Sequence, residues 1–173
     1  MIKEVLESSE VNWKKVQLKR GNFLLRAGEK ERYMGFVISG ALRAFRETDE
    51  EEHTIRFAYK NSIIAALPAY FTNLPSDMSI QAIRKTTVLQ ANKIEFINYW
   101  HQSLERLKMY NSLLQELIVS YHEREVDLLT QSSKERIDRI QKRSPQVFQE
   151  VPHRYIASYL RMSPETLSRL LKS

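Results

Sequence analysis

The residues best suited to chemistry on a partner lie near the C-terminal end, in Ser163-Pro164-Glu165-Thr166-Leu167-Ser168-Arg169-Leu170-Leu171-Lys172. Ser163 is a good helix N-cap, Pro164 suits the first helical position, and Glu165 places a carboxylate in the first turn. A helix from Pro164 to about Leu171 is therefore predicted. At helical spacing its outward positions are Glu165, Thr166, Ser168, Arg169 and Lys172. In the major groove of duplex DNA, Arg donates two hydrogen bonds to guanine, and Glu accepts from the amino group of cytosine. Ser163, Thr166, Ser168 and the helix N-terminus suit phosphate oxygens. Arg154, Tyr155 and Lys172 lie near the same rim.

A reading helix needs a second helix to hold it. His153 to Tyr159, after Pro152, supplies one, with a tight turn at Arg161. Ala157 is the small residue where the two helices touch. Ile156, Leu160, Met162, Leu167 and Leu170 are the apolar residues that lock them, the core pattern of a helix-turn-helix. The turn position usually held by Gly is Arg161, which in a positive-φ conformation costs of order 1 kcal/mol. The bland alternative is an αα-hairpin with a polar face.

Charge points the same way. Of the net +6, residues 134–173 hold nine Lys/Arg against four acids, and residues 1–133 hold 18 against 17. A local basic excess raises affinity for a polyanion. The alternative is a basic solvated surface. Hydrophobic residues at 42% and charged residues at 28% are ordinary for a globular chain. With no apolar run near the ~18 residues that span a bilayer, and no secretory signal in Met1–Lys15, a cytoplasmic protein without membrane contact is expected. The absence of cysteine excludes disulfides, thiolate zinc and cysteine-ligated clusters. His53, His101, His122 and His153 form no metal-ligand spacing, and there is no phosphate loop or nucleophile elbow. No catalytic residue, metal or cofactor is assigned, and the chain is not read as an enzyme.

The rest of the chain must position these helices. Short strands are predicted at Asn22–Arg26, Tyr33–Ser39, Ala41–Arg46, Thr54–Tyr59, Ile63–Ile64, Met78–Ile83 and Thr86–Ala91, with an acidic turn at Thr48–Glu52. Such spacing suggests a small β-sandwich or barrel. Pro68 and Pro75 bracket a helical turn at Ala69–Leu74. From Ile94 to Leu129 there is no Pro or Gly. Leu107, Tyr110, Leu114, Leu117, Tyr121 and Leu128 recur at spacings of three and four, with Arg124 in the remaining slot. That is the seam of a coiled-coil-like helix. It reads either as packing on the chain's own β domain or as a homodimer seam, and the length of the helix favours the dimer. Ser132 or Ser133 caps a further helix from about Lys134 to Lys142, ended by Ser144-Pro145.

The segment Pro164–Leu171 resembles the recognition helix of the Crp/Fnr family of bacterial regulators, with its Glu-Thr-x-Ser-Arg core. Val151–Leu160 resembles the preceding helix in the Bacteroidetes-type branch. Gly21–Glu29 and Phe36–Arg43 are similar to two of the family's strand motifs. The resemblance implies an α+β protein: an N-terminal double-stranded β-helix (jelly-roll) of the cyclic-nucleotide-binding type over residues 1–95, a dimerisation helix over 96–131, and a DNA-binding domain over 132–173. It implies as partners a palindromic duplex operator, a second copy of the chain, RNA polymerase and an unknown small-molecule effector. Glu165, Ser168 and Arg169 become the base readers.

Two departures set further expectations. Cyclic-AMP-binding members carry Gly-Glu on a short helix and a later Arg, which hold the ribose and the cyclic phosphate. The matching stretch here, Ser62–Leu67 through Pro75–Ile80, has neither, and Met78 stands near the Arg position. A buried phosphate needs a cation, so cyclic-nucleotide binding by the usual contacts is not expected. Ile63, Ile64, Leu67, Phe71, Met78 and Ser79 suggest an apolar or empty effector pocket. Members also carry a β-hairpin wing after the recognition helix. The sequence ends at Ser173, so a winged-helix-type domain with its wing missing or truncated is expected. The competing expectation is a β-roll sensor or interaction protein that has lost sequence-specific DNA binding.

Overall fold

The computed structural model describes residues 2–49 and 51–172. Met1, Glu50 of the acidic turn and Ser173 lie outside the described residues. After α1 (Ile2–Glu7) come β1 (Lys14–Leu18), β2 (Phe23–Leu25), β3 (Tyr33–Ser39), β4 (Ala41–Glu47), β5 (Glu52–Tyr59) and β6 (Ile63–Ile64). The short helix α2 (Leu67–Thr72) precedes β7 (Ser79–Ala82) and β8 (Thr86–Asn92). The strands form two four-stranded antiparallel sheets, ordered β1-β8-β3-β6 and β2-β7-β4-β5.

The sheets face each other across one apolar core. Leu18, Val37, Ile64 and Val88 come from the first, and Leu25, Leu42, Ala44, Ala58 and Ile80 from the second. Antiparallel strands with one buried face do this by alternation. The chain crosses from β3 to β4 at Gly40, where φ is +89°. A Cβ there would lie 2.4 Å from the Lys85 carbonyl oxygen, so only glycine fits. Thr86 Oγ1 accepts from the Ala41 N–H at 3.1 Å and closes the same corner.

The long predicted helix is two helices: α3 (Lys93–His101) and α4 (Leu104–Leu129). The break at Gln102–Ser103 has a local cause. Ser103 is extended, and its hydroxyl accepts from the Arg106 N–H at 3.2 Å. An N-cap inside an apolar-periodic stretch starts a new helix. The turn lets α4 fold back on α3, where Tyr110 stacks on the fully buried Trp100 at 5.9 Å.

The predicted seam is therefore divided. Tyr110 is buried in the chain's own core, Leu114 packs against that core half-buried, and Leu107 and Leu117 are half-buried. Tyr121 and Leu128 stay exposed, with Ile118, Val119 and Leu129 beside them.

Four helices follow: α5 (Ser133–Arg143), α6 (Val147–Glu150), α7 (His153–Tyr159) and α8 (Pro164–Lys172). Ser132 caps α5 by accepting from the Glu135 N–H at 3.3 Å. Asp127 of α4, fully buried, accepts from Arg139 Nε at 2.8 Å and from Arg143, which ties α5 back onto α4. Burial pushes the Asp127 carboxyl up, but the Arg143 and Arg139 hydrogen bonds outweigh it and hold it below the usual carboxylate range. No helix among the described residues is long and apolar enough to cross a membrane.

Candidate nucleic-acid interface

Helices α7 and α8 share a core in which Ile156, Ala157, Leu160 and Leu167 are fully buried, with Met162 and Leu170 half-buried against them. The turn between them follows from local hydrogen bonding. Arg161 sits at φ +54°, in the left-handed region. Its N–H donates to Ser158 O at 3.2 Å, and the Met162 N–H reaches back to Ala157 O at 3.1 Å. This is the Schellman closure of a helix, for which a left-handed residue is required. Ser163 then caps α8, accepting from the Thr166 N–H at 3.2 Å.

Glu165, Ser168, Arg169 and Lys172 line one open face of α8 together with Pro164. Glu165, Arg169 and Lys172 are exposed. Among the described residues, Arg169 and Lys172 have no ion-pair or hydrogen-bond partner. The Glu165 carboxyl is held below the usual carboxylate range by its own backbone N–H and by the Ser163 hydroxyl, so it is an acceptor at neutral pH. Thr166 is half-buried, and its Oγ1 accepts from Ser163 Oγ at 3.2 Å, which makes it a cap partner.

Arg154 and Tyr155 stand apart from this face. Arg154 Nη2 donates to Tyr155 Oη at 2.7 Å, and the Tyr155 ring carries Arg154 at 4.5 Å and Arg43 of β4 at 4.4 Å. Tyr155 is thus turned toward the roll.

That contact belongs to a joint between α7 and the free edge of β5, which sequence reasoning missed. Ser158 Oγ accepts from the Thr54 N–H at 3.0 Å and donates to Glu52 O at 3.1 Å, completing the strand's edge. Arg161 Nη1 donates to His53 Nδ1 at 2.7 Å, and Phe57 packs on Tyr159 at 5.3 Å. Arg43 pairs with Glu52 beneath them. A lone Ser in a helix and a lone His in a strand carry no sequence signal for such a pairing.

The six predicted effector residues do not surround one cavity. Ile64 and Met78 are in the roll core, and Ser79 Oγ accepts from the Ala27 N–H at 3.0 Å. Ile63, Ile64 and Leu67 line a void of about 10 Å³, no more than one water. Leu67 and Phe71 line a separate apolar groove of about 390 Å³ against Leu114, Leu117, Ile118 and Tyr121. The N-terminal amide of α2, at Ala66, is taken by the chain's own Glu31, whose Oε2 accepts it at 3.1 Å. Glu31 Oε1 accepts from the Tyr33 N–H at 3.2 Å. Burial pushes the Glu31 carboxyl up, against these backbone bonds. Among the described residues, no cluster of His, Cys, Asp or Glu is placed to hold a metal ion.

The described fold has clear relatives. FixK2 from Bradyrhizobium japonicum is 13% identical with a TM-score of 0.78, over 93% of this chain and 83% of that one. A CooA mutant from Carboxydothermus hydrogenoformans is 18% identical with a TM-score of 0.72, over 98% and 81%. A protein from Eubacterium rectale, assigned to the Crp/Fnr family, is 16% identical with a TM-score of 0.68, over 93% and 77%. These likenesses run through the roll and the C-terminal helices, so the architecture is that of Crp/Fnr proteins. No curated protein matches the sequence. Residues 15–103, just over half of the chain, match the cyclic nucleotide-binding domain model. The roll of two facing sheets with its short helix α2, and the sequence that builds it, place the chain in the cyclic nucleotide-binding domain family.

Proposed function

We propose that the chain is a homodimeric, DNA-binding transcription regulator of the Crp/Fnr type that does not answer to cyclic AMP by the family's usual contacts. The observation that carries this reading is the face of α8. Glu165, Ser168, Arg169 and Lys172 sit together on a well-capped helix, and the two cations have no partner among the described residues. An acceptor and a fork-shaped donor on one helix face suit base edges in the major groove, with α7 crossing the backbone as in a helix-turn-helix. The exposed Ile118, Val119, Tyr121, Leu128 and Leu129 on α4 support the dimer, because apolar side chains gathered on one helix mark an interaction surface. The Glu31 carboxylate on the α2 terminus and the small void at Ile63, Ile64 and Leu67 support the absence of a cyclic-phosphate site.

Selection from random duplex DNA tests the reading. A two-fold symmetric sequence with half-sites about 34 Å apart is expected. Saturable micromolar binding of cyclic AMP to the purified protein would contradict the effector part. One observation favours a second reading, a roll-based sensor or interaction protein without sequence-specific binding: α7 is docked on β5 through Ser158, Arg161 and Tyr159. That reading expects DNA binding that weakens with salt and shows no sequence preference.

A further inference from the structure

A cavity of about 200 Å³ lies where the roll, the long helix and the C-terminal helices meet. At roughly 30 Å³ per water it holds a small organic molecule, not a nucleotide. Its walls come from β5, α4, α5, α6 and α7, so it is separate from the roll interior and from the face of α8. Arg56, Arg124 and Arg143 line it with Ser62, Ser120 and Ser144, and none of its lining residues among those described is Asp or Glu.

The cations are not equally satisfied. Arg143 is engaged by Glu123 and Asp127. Among the described residues Arg56 has no carboxylate partner: Nη2 donates to Ser120 Oγ at 3.0 Å, and the guanidinium lies 4.8 Å from the Tyr121 ring centroid. Arg124 donates from Nε to Ile55 O at 3.4 Å and from Nη2 to Thr54 O at 3.2 Å, and lies over Tyr159 at 3.9 Å. Its Nη1 is buried with no hydrogen-bond partner among the described residues. Asp127, one turn on, is taken by Arg139 and Arg143. Burial lowers the Arg124 proton affinity, yet an arginine stays charged in a protein. Asp127 attracts Arg124 but is hydrogen-bonded to Arg139 and Arg143, so the buried Nη1 lacks an acceptor, and a buried charged donor without one is costly.

We infer that this cavity is a binding site for a small anion, a carboxylate or a phosphate on a compact apolar body. Planar guanidinium forks pair with such oxyanions in two parallel hydrogen bonds. The ring of Tyr159 and the side chains of Phe57, Ile140 and Val147 offer the apolar wall. The site stands independently of the DNA-binding reading.

Calorimetric titration of the full chain at fixed ionic strength tests it, with benzoate and phenyl phosphate as probes of the two anion chemistries. At least one probe is expected to bind saturably, one per chain. Arg56→Gln and Arg124→Gln are each expected to weaken it by about tenfold or more, and Arg169→Ala is expected to leave it unchanged. Arg56 is half-buried and its side-chain hydrogen bond is to a single hydroxyl, that of Ser120, so its variant stays informative if Arg124→Gln fails to fold. No saturable binding of either probe overturns the proposal. So does binding that survives Arg56→Gln and disappears in Arg169→Ala, which would place the anion on the face of α8.

Discussion

The roll interior and the face of α8 treat polar groups in opposite ways. At the short helix of the roll, the Ala66 N–H is taken by Glu31, and the void lined by Ile63, Ile64 and Leu67 holds no more than one water. On α8, Arg169 and Lys172 are exposed and unpartnered among the described residues. The physics differs because a buried polar group without a partner is costly, so folding selects for internal satisfaction. A surface cation loses nothing by waiting in water. A helix terminus already paired within the chain therefore argues against a ligand there, while an uncommitted face argues for a partner.

Paired core substitutions sharpen this contrast most. Leu167→Ala under α8 and Met78→Ala in the roll each remove a buried side chain, and each is expected to cost about 2–5 kcal/mol in chemical denaturation. Only Leu167→Ala is expected to abolish DNA binding at temperatures where both variants remain folded. Equal loss of binding in both would erase the distinction.

Next in size is Asp127→Asn, which removes the charge that anchors Arg139 and Arg143. A cost of about 2–3 kcal/mol at pH 7 is expected. The folded pKa of Asp127 is depressed, so its contribution is present above the unfolded value of 3.8 and is lost as pH falls through the folded value. The gap between wild type and variant should therefore close below about pH 4 in thermal melts. A gap that persists at low pH would mean that the ion pairs are not its source.

Ser158→Ala should have the smallest effect, about 1–2 kcal/mol, because it removes one hydroxyl that bridges the buried Thr54 N–H and the more open Glu52 O at the β5 edge. The same change should speed amide exchange at Thr54. Unchanged exchange there would mean that α7 does not hold that edge in solution.

Much of this was legible in the sequence where the signal is local. Tyr33–Ser39 and Ile63–Ile64 are strands at the expected bounds, and the Ser163-Pro164-Glu165 start of α8 is a cap as expected. The positive φ of Arg161 was legible because two locked helices leave the turn no alternative. What escaped depended on distant partners. The strand β1 pairs with β8 across the chain, and the lysine-rich Lys14–Leu18 gives little periodicity. The single-helix reading of 96–131 passed over Ser103 as a cap, because apolar spacing continues through it. Tyr110 and Leu114 of the seam went to the chain's own core because α4 folds back on α3 and stacks Tyr110 on Trp100. The effector residues are neighbours in sequence but not in space: strand β6 sends Ile64 inward, whereas helix α2 leaves Phe71 on its outer side.

Base-by-base affinity of the wild type and Arg169→Ala for a selected operator tests the central claim most directly. The expected result is loss of preference at one base pair in each half-site, worth roughly 1–3 kcal/mol, with the other positions unchanged. Uniform weakening at every position, or no change at any, would contradict the assignment of α8 as the helix that reads DNA.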